Sequence, residues 1–112
     1  MVRPGRLTSA ADYRRTYSEG RRASTKAVVA HVLMSDEARP ARVGISTSRA
    51  LRKAVDRNRA KRRLREAVRR IRPEIRPGAD VVVVATASTV KVDFQDMVDS
   101  VSLAVARAGG AR

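Results

Sequence analysis

Between Lys53 and Arg70 the chain reads Lys-Ala-Val-Asp-Arg-Asn-Arg-Ala-Lys-Arg-Arg-Leu-Arg-Glu-Ala-Val-Arg-Arg, and no other stretch limits the possible folds as strongly. At about 3.6 residues per turn, Ala60, Leu64, Ala67, Val68 and Ile71 fall on one stripe, while Arg57, Lys61, Arg62, Arg65 and Arg69 fall away from it. The spacing predicts an amphipathic helix from about Ala54 to Ile71, ended near Pro73 because proline cannot continue the ladder. One apolar stripe ties such a helix to a core, so its cations form a stiff array. That array suits a regularly charged polymer better than a small anion. A charge run is often only a solvated, salt-laced face. Here only Asp56 and Glu66 lie on the helix to offset the cations, so the counter-charge is expected from outside, in a nucleic acid.

Arg57-Asn58-Arg59 opens this helix. Three adjacent helical residues spread over roughly 200°, so they reach separate phosphates instead of converging on one anion. Asn58 adds a neutral donor and acceptor for a sugar hydroxyl or a base edge.

The rest of the composition agrees. The 112 residues carry a formal net charge of +14, and the pI near 11.7 lies beyond the range of about 9 that marks nucleic-acid-binding domains. The only lysines are Lys26, Lys53, Lys61 and Lys91; every other cation is arginine, which bonds phosphate bidentately and stacks on bases. Anionic lipid is the competing polyanion, but membrane-surface helices carry bulky apolar residues, and this stripe is mostly Ala and Val. No membrane partner is therefore expected. The length fits a single domain spanning 1–112. The absence of cysteine excludes disulfides and thiolate metal sites. With no apolar signal core and no run long enough to cross a bilayer, a soluble cytoplasmic protein is expected.

Taken in order, residues 1–7 read as a mobile basic arm. A first helix begins at Thr8 or Ser9, with Asp12 completing a capping-box-like pattern, and stops at Gly20. Tyr13 and Tyr17, spaced i and i+4, share one face of it. Two readings stand for the pair: core packing, or a stacking platform for unpaired nucleotides. Arg21 to Met34 reads as strand; alternation puts Val28, Ala30 and Val32 on one side and Ala27, Val29 and His31 on the other. His31, the only histidine, has no companion ligands or nucleophile, so it reads as a half-buried sheet residue or as part of a binding face. Ser35 to Pro40 reads as a polar hairpin loop and Arg42 to Ser46 as the next strand. Gly44 and its neighbouring hydroxyls lack the spacing of a phosphate-binding loop. Asp80 to Ala85, a valine run without alternation, reads as a strand covered on both faces. The last helix is capped by Asp93 and buries Phe94, Met97, Val98, Val101, Ala104, Val105 and Ala108; Asp93, Asp96 and Asp99 fit a helix dipole better than a metal cluster. Residues 109–112 read as a frayed tail.

The run Gly44-Ile-Ser-Thr-Ser followed by Lys53-Ala-Val-Asp-Arg-Asn-Arg-Ala-Lys-Arg-Arg-Leu-Arg-Glu-Ala resembles the signature of the protein subunit of bacterial ribonuclease P, which trims the 5′ leader from precursor tRNA. Leu7 to Tyr13, Tyr17, Gly20-Arg-Arg, Val28 to Leu33 and Gly78 to Ala85 resemble family segments in the same order, so the resemblance covers nearly the whole chain. It implies an α/β sandwich running helix, strands, helix, strand, helix, with a small mixed sheet of about four strands. It further implies a left-handed βαβ crossover, where the general rule gives a right-handed one. By the same resemblance, Tyr13, Tyr17, Val29, His31, Arg49 and Lys53 line a cleft for the single-stranded leader. Arg57, Asn58, Arg59, Lys61, Arg62, Arg65 and Arg69 dock on the catalytic RNA. Many family members carry a larger aromatic at the His31 position. Where they have a pair of lysines and a later glycine, this chain has Arg49-Ala50 and Arg52.

No paired carboxylates, nucleophile with its base, or metal constellation is visible, so no catalytic and no metal-binding residue is assigned. The resemblance implies that the RNA subunit catalyses, with Mg²⁺ held through RNA and no cofactor bound by the protein alone. The expected partners are the catalytic RNA and precursor tRNA. A structural RNA binder, such as a ribosomal protein or RNA chaperone, is the alternative class; DNA is not expected, since the chain lacks intercalating wedges and a dimer seam.

Overall fold

The computed structural model describes residues 5–112. In chain order it comprises helix α1 (Ala10–Glu19), strands β1 (Arg21–Ser24), β2 (Val28–Met34) and β3 (Arg42–Thr47), helix α2 (Ala54–Ile71), strand β4 (Ala79–Ala85) and helix α3 (Phe94–Arg107). The strands form one sheet in the order β1-β2-β4-β3. β2 pairs antiparallel with β1 and β4, and β3 pairs parallel with β4. Three helices on a four-stranded mixed sheet is the expected fold class.

Cross-strand partners project to the same side of a sheet, so the register sorts the residues into two faces. Val28, Ala30 and Val32 are level with Ala85, Val83 and Val81, which pair onward with Thr47, Ile45 and Val43. This side carries the main core. α2 covers it through Ala60, Leu64, Ala67, Val68 and Ile71, the five residues of the stripe, and α3 through Met97, Val101, Ala104 and Val105. The helical period alone therefore located the buried side of α2, and its span is the expected one. Past Ile71 a 3₁₀ turn, Arg72–Glu74, holds Pro73 in its first turn, where a missing N–H costs nothing.

Val29, His31 and Leu33 face the other way, beside Val84, Val82 and Asp80 and then Ser46, Gly44 and Arg42. α1 covers part of this side. It starts at Ser9, whose hydroxyl accepts from the Asp12 N–H, and its Thr16 is fully buried. A half-buried ion network joins it to the sheet: Arg42 bonds both oxygens of Asp80 at 2.8 and 2.7 Å and reaches Asp12 of α1 at 3.4 Å. Arg39 adds a second guanidinium 3.0 Å from Asp80.

Three details differ from the sequence reading. Arg21 to Met34 is two strands, because the chain turns at Thr25, whose N–H bonds the Val28 carbonyl at 2.9 Å. Ala27 lies in that turn and is fully buried, its carbonyl accepting from the Thr86 and Thr89 hydroxyls, so it does not share the side of Val29 and His31. Residues 35–40 are not a hairpin loop. β4 lies between β2 and β3, as its valine run, apolar toward both faces, requires.

The chain ends are docked. Of the basic arm, residues 1–4 lie outside the described residues, but Leu7 is buried and its N–H bonds Val43, while the Val43 N–H bonds Gly5, so this segment lines the free edge of β3. The tail is not frayed. Gly109 takes a left-handed φ of 88° and turns the chain back, after which Arg76 bonds the Gly110 carbonyl at 2.7 Å and Arg112 bonds Glu74 at 2.8 Å.

Candidate RNA-binding surfaces

On α2, burial of the stripe turns Asn58, Arg59, Arg62, Arg65 and Arg69 to the exterior, with Lys61 half-buried beside them. The other cations of the helix engage the protein. Arg63 donates to the Val92 carbonyl at 2.6 Å, and Arg70 lies 4.8 Å from the centre of the Phe94 ring. Arg69 donates from Nε to Glu66 at 3.1 Å, and its guanidinium holds that carboxyl below the ordinary range. Arg57 folds back on the carbonyls of Leu51 and Arg52, at 3.2 and 2.6 Å. Arg59, Lys61, Arg62 and Arg65 make no side-chain bond or ion pair within the protein among the described residues. These four, with Asn58, form the cationic face available to a polyanion.

The second surface is the side of the sheet that α1 leaves open. Tyr13 is the seated member of the tyrosine pair. A Cβ on Gly44 would collide with its hydroxyl and stand 2.5 Å from its Cζ, so the absent side chain at Gly44 is what lets the ring lie on the sheet. Burial raises the Tyr13 hydroxyl above its usual pKa, opposed by a hydrogen bond with the Ile45 backbone. Tyr17 is the presented member, 40% exposed. Its ring stands edge-on to His31, whose Nδ1 is buried with no hydrogen-bond partner. Burial, then the Arg22 charge, lowers the His31 pKa, which favours the neutral ring. The floor continues through Val29, level with Val84 and Ser46. Both Arg22 and Ser24 of β1 pair with floor residues, opposite His31 and Val29. Sequence reading missed Arg22, Ser24, Ser46 and Val84, which follow only from the register.

Arg49 and Lys53 are exposed on the segment joining β3 to α2, at the end of the sheet where Ser46, Val84 and Val29 lie. Buried Leu51 pins that segment, and Ser48 bonds Ala85 at 2.9 Å. No bond joins Arg49 or Lys53 to the tyrosines; they border the floor at its far end.

A cleft of about 750 Å³ between residues 5–8, β3 and α2 links the two surfaces, with Tyr13 and Gly44 on one wall and Lys61, Arg65 and Arg69 on the other. Among the described residues, no three metal-ligating side chains stand together, and no helix is long and apolar enough to cross a membrane.

A compact sheet with an exterior row of arginines and a half-open face carrying an aromatic ring defines an RNA-binding protein of the α/β class. A family model for ribonuclease P matches residues 1–109. The ribonuclease P protein component of Symbiobacterium thermophilum is 41% identical over 109 residues, covering 97% of this chain and 95% of its own. Among solved structures, the RNase P protein of Staphylococcus aureus superposes with a TM-score of 0.81 at 25% identity, over 98% of this chain and 100% of that one. That of Thermotoga maritima superposes with a TM-score of 0.79 at 28% identity, over 94% and 98%. This chain belongs to the ribonuclease P protein family.

Proposed function

We propose that the chain is the protein cofactor of a ribonuclease P that removes the 5′ leader from precursor tRNA, with bond cleavage carried out by the RNA subunit. Membership of the family makes it a protein component of an endoribonuclease complex in tRNA processing and a partner of ribonuclease P RNA. What the protein adds is binding. The face of Asn58, Arg59, Lys61, Arg62 and Arg65 docks on the catalytic RNA through phosphates, while Tyr17, His31, Val29 and the cations at Arg49 and Lys53 receive the single-stranded leader. Tyr13 supports this cleft from beneath. In this reading Mg²⁺ is held through RNA. Cations placed between two polyanions lower their repulsion, so less Mg²⁺ is needed to bring them together.

The observation that carries this reading is the uncompensated row from Arg59 to Arg65 on a helix fixed by its buried stripe, in a chain of this family. Reconstitution with a bacterial ribonuclease P RNA tests it. At low Mg²⁺, precursor tRNA cleavage should require both components and release a 5′ leader. Cleavage by the polypeptide free of RNA, or no stimulation of the RNA by the protein, contradicts it.

A further inference from the structure

Arg57 stands one turn inside α2, close to the positive end of the helix dipole, where a free cation is disfavoured. Its side chain bends away from the RNA-facing row. One terminal nitrogen, Nη1, donates to two successive carbonyls, Leu51 at 3.2 Å and Arg52 at 2.6 Å. Those carbonyls belong to the irregular segment between β3 and α2, and Arg57 is the only side chain among the described residues that bonds them. The same segment is otherwise held by the buried Leu51 side chain and by a turn in which Ser48 accepts from Leu51 and Ala50. Its exposed side chains include Arg49, Arg52 and Lys53. Lys53 provides no side-chain cap for α2, so from the helix only the Arg57 backbone N–H, which donates to the Lys53 carbonyl at 3.0 Å, bonds the segment besides the Arg57 guanidinium.

We propose that Arg57 is a positioning residue for the leader cleft: its guanidinium clamps the Leu51 and Arg52 carbonyls, so that Arg49, Arg52 and Lys53 meet the single-stranded leader as one preset cationic edge. Rotamer-rich side chains on a segment already fixed lose less freedom when RNA arrives, and the benefit of Arg57 passes through its neighbours. The inference rests on the proposed role in leader removal and deepens it.

A double-mutant cycle tests it in the reconstituted holoenzyme, with protein held at saturation over the catalytic RNA. Arg57→Ala should weaken binding of leader-bearing precursor tRNA by about tenfold while leaving leaderless tRNA unchanged. In an Arg49→Ala/Arg52→Ala/Lys53→Ala background the same change should be nearly silent, because the groups that Arg57 positions are gone. If the loss is equally large in both backgrounds, or falls on assembly with the catalytic RNA and not on the leader, Arg57 is an ordinary phosphate contact and the proposal is overturned. Should Arg57→Ala melt below the assay temperature, Arg57→Met carries the same cycle, since it keeps the aliphatic stem and removes every donor. Wild-type stimulation of the RNA at low Mg²⁺, scored in parallel, separates failure of this inference from failure of the proposed function.

Discussion

The rings of Tyr17 and His31 meet edge to face, with centroids 4.7 Å apart and planes inclined at 79°. The contact fixes the one well-exposed aromatic ring of α1 over the sheet without burying it. Tyr13, one turn earlier, has the opposite assignment because Gly44 gives its ring a seat. The two tyrosines, equivalent by spacing, thus divide into an exposed ring and a seated one.

Substitution should separate those roles. Tyr17→Ala is expected to cost roughly 1–3 kcal/mol of binding to leader-bearing precursor tRNA, the range for loss of one stacked base. Leaderless tRNA and the melting temperature should change little. Tyr13→Ala should instead lower stability by about 2 kcal/mol or more, since it removes a packed ring. Thermal melts alongside binding to both substrates decide the matter; equal losses of stability for the two variants contradict the division.

His31 gives the fold a pH dependence whose sign follows from its lowered pKa. Below about pH 6.5 the unfolded chain binds a proton that the folded chain resists, so stability rises with pH through that window and falls on acidification. His31→Gln should remove this part of the acid sensitivity. The stability of the native chain relative to that variant should therefore drop between about pH 7.5 and 5.5, as denaturant melts at each pH will measure. Parallel curves contradict the prediction.

Arg42 is expected to be a stability residue that also steadies α1. Its bonds to Asp80 serve a carboxylate with a side chain only 5% exposed, and its contact with Asp12 joins the helix to the sheet. Asp80 in turn raises the Arg42 pKa through those bonds. Arg42→Met should lower stability by about 1–3 kcal/mol, the cost of hydrogen bonds to a buried charge, moderated because Arg39 remains. Urea unfolding measures it, and an unchanged midpoint contradicts it.

The parts of the fold legible in the sequence were those set by local periodicity. The five-residue stripe of α2, the alternation of Val28, Ala30 and Val32, and the unalternating run of β4 each specify a buried side without knowledge of neighbours. What escaped depends on contacts distant along the chain. Nothing local marks Thr25 as a turn, since it lacks the usual Gly, Pro or Asn, and nothing near residues 35–40 says that β4 will enter between β2 and β3. Which cations of α2 are unpaired within the protein depends on distant contacts in the same way. Sequence reading weighed only Asp56 and Glu66 against the arginines, but backbone carbonyls and a ring also take up cations, at Arg57, Arg63 and Arg70. The free row is consequently shorter than the sequence implies, centred on Arg59 to Arg65, and Arg69 shares its charge with Glu66.

The central claim is that this row docks on RNA through phosphates, and the salt dependence of that binding measures it most directly. If Arg59, Lys61, Arg62 and Arg65 each contact one phosphate, affinity for ribonuclease P RNA should fall by roughly 10² between 50 and 200 mM salt, and Arg62→Ala should reduce the log–log slope by about one contact. A flat response, or a slope that Arg62→Ala and Arg65→Ala leave unaltered, would contradict it.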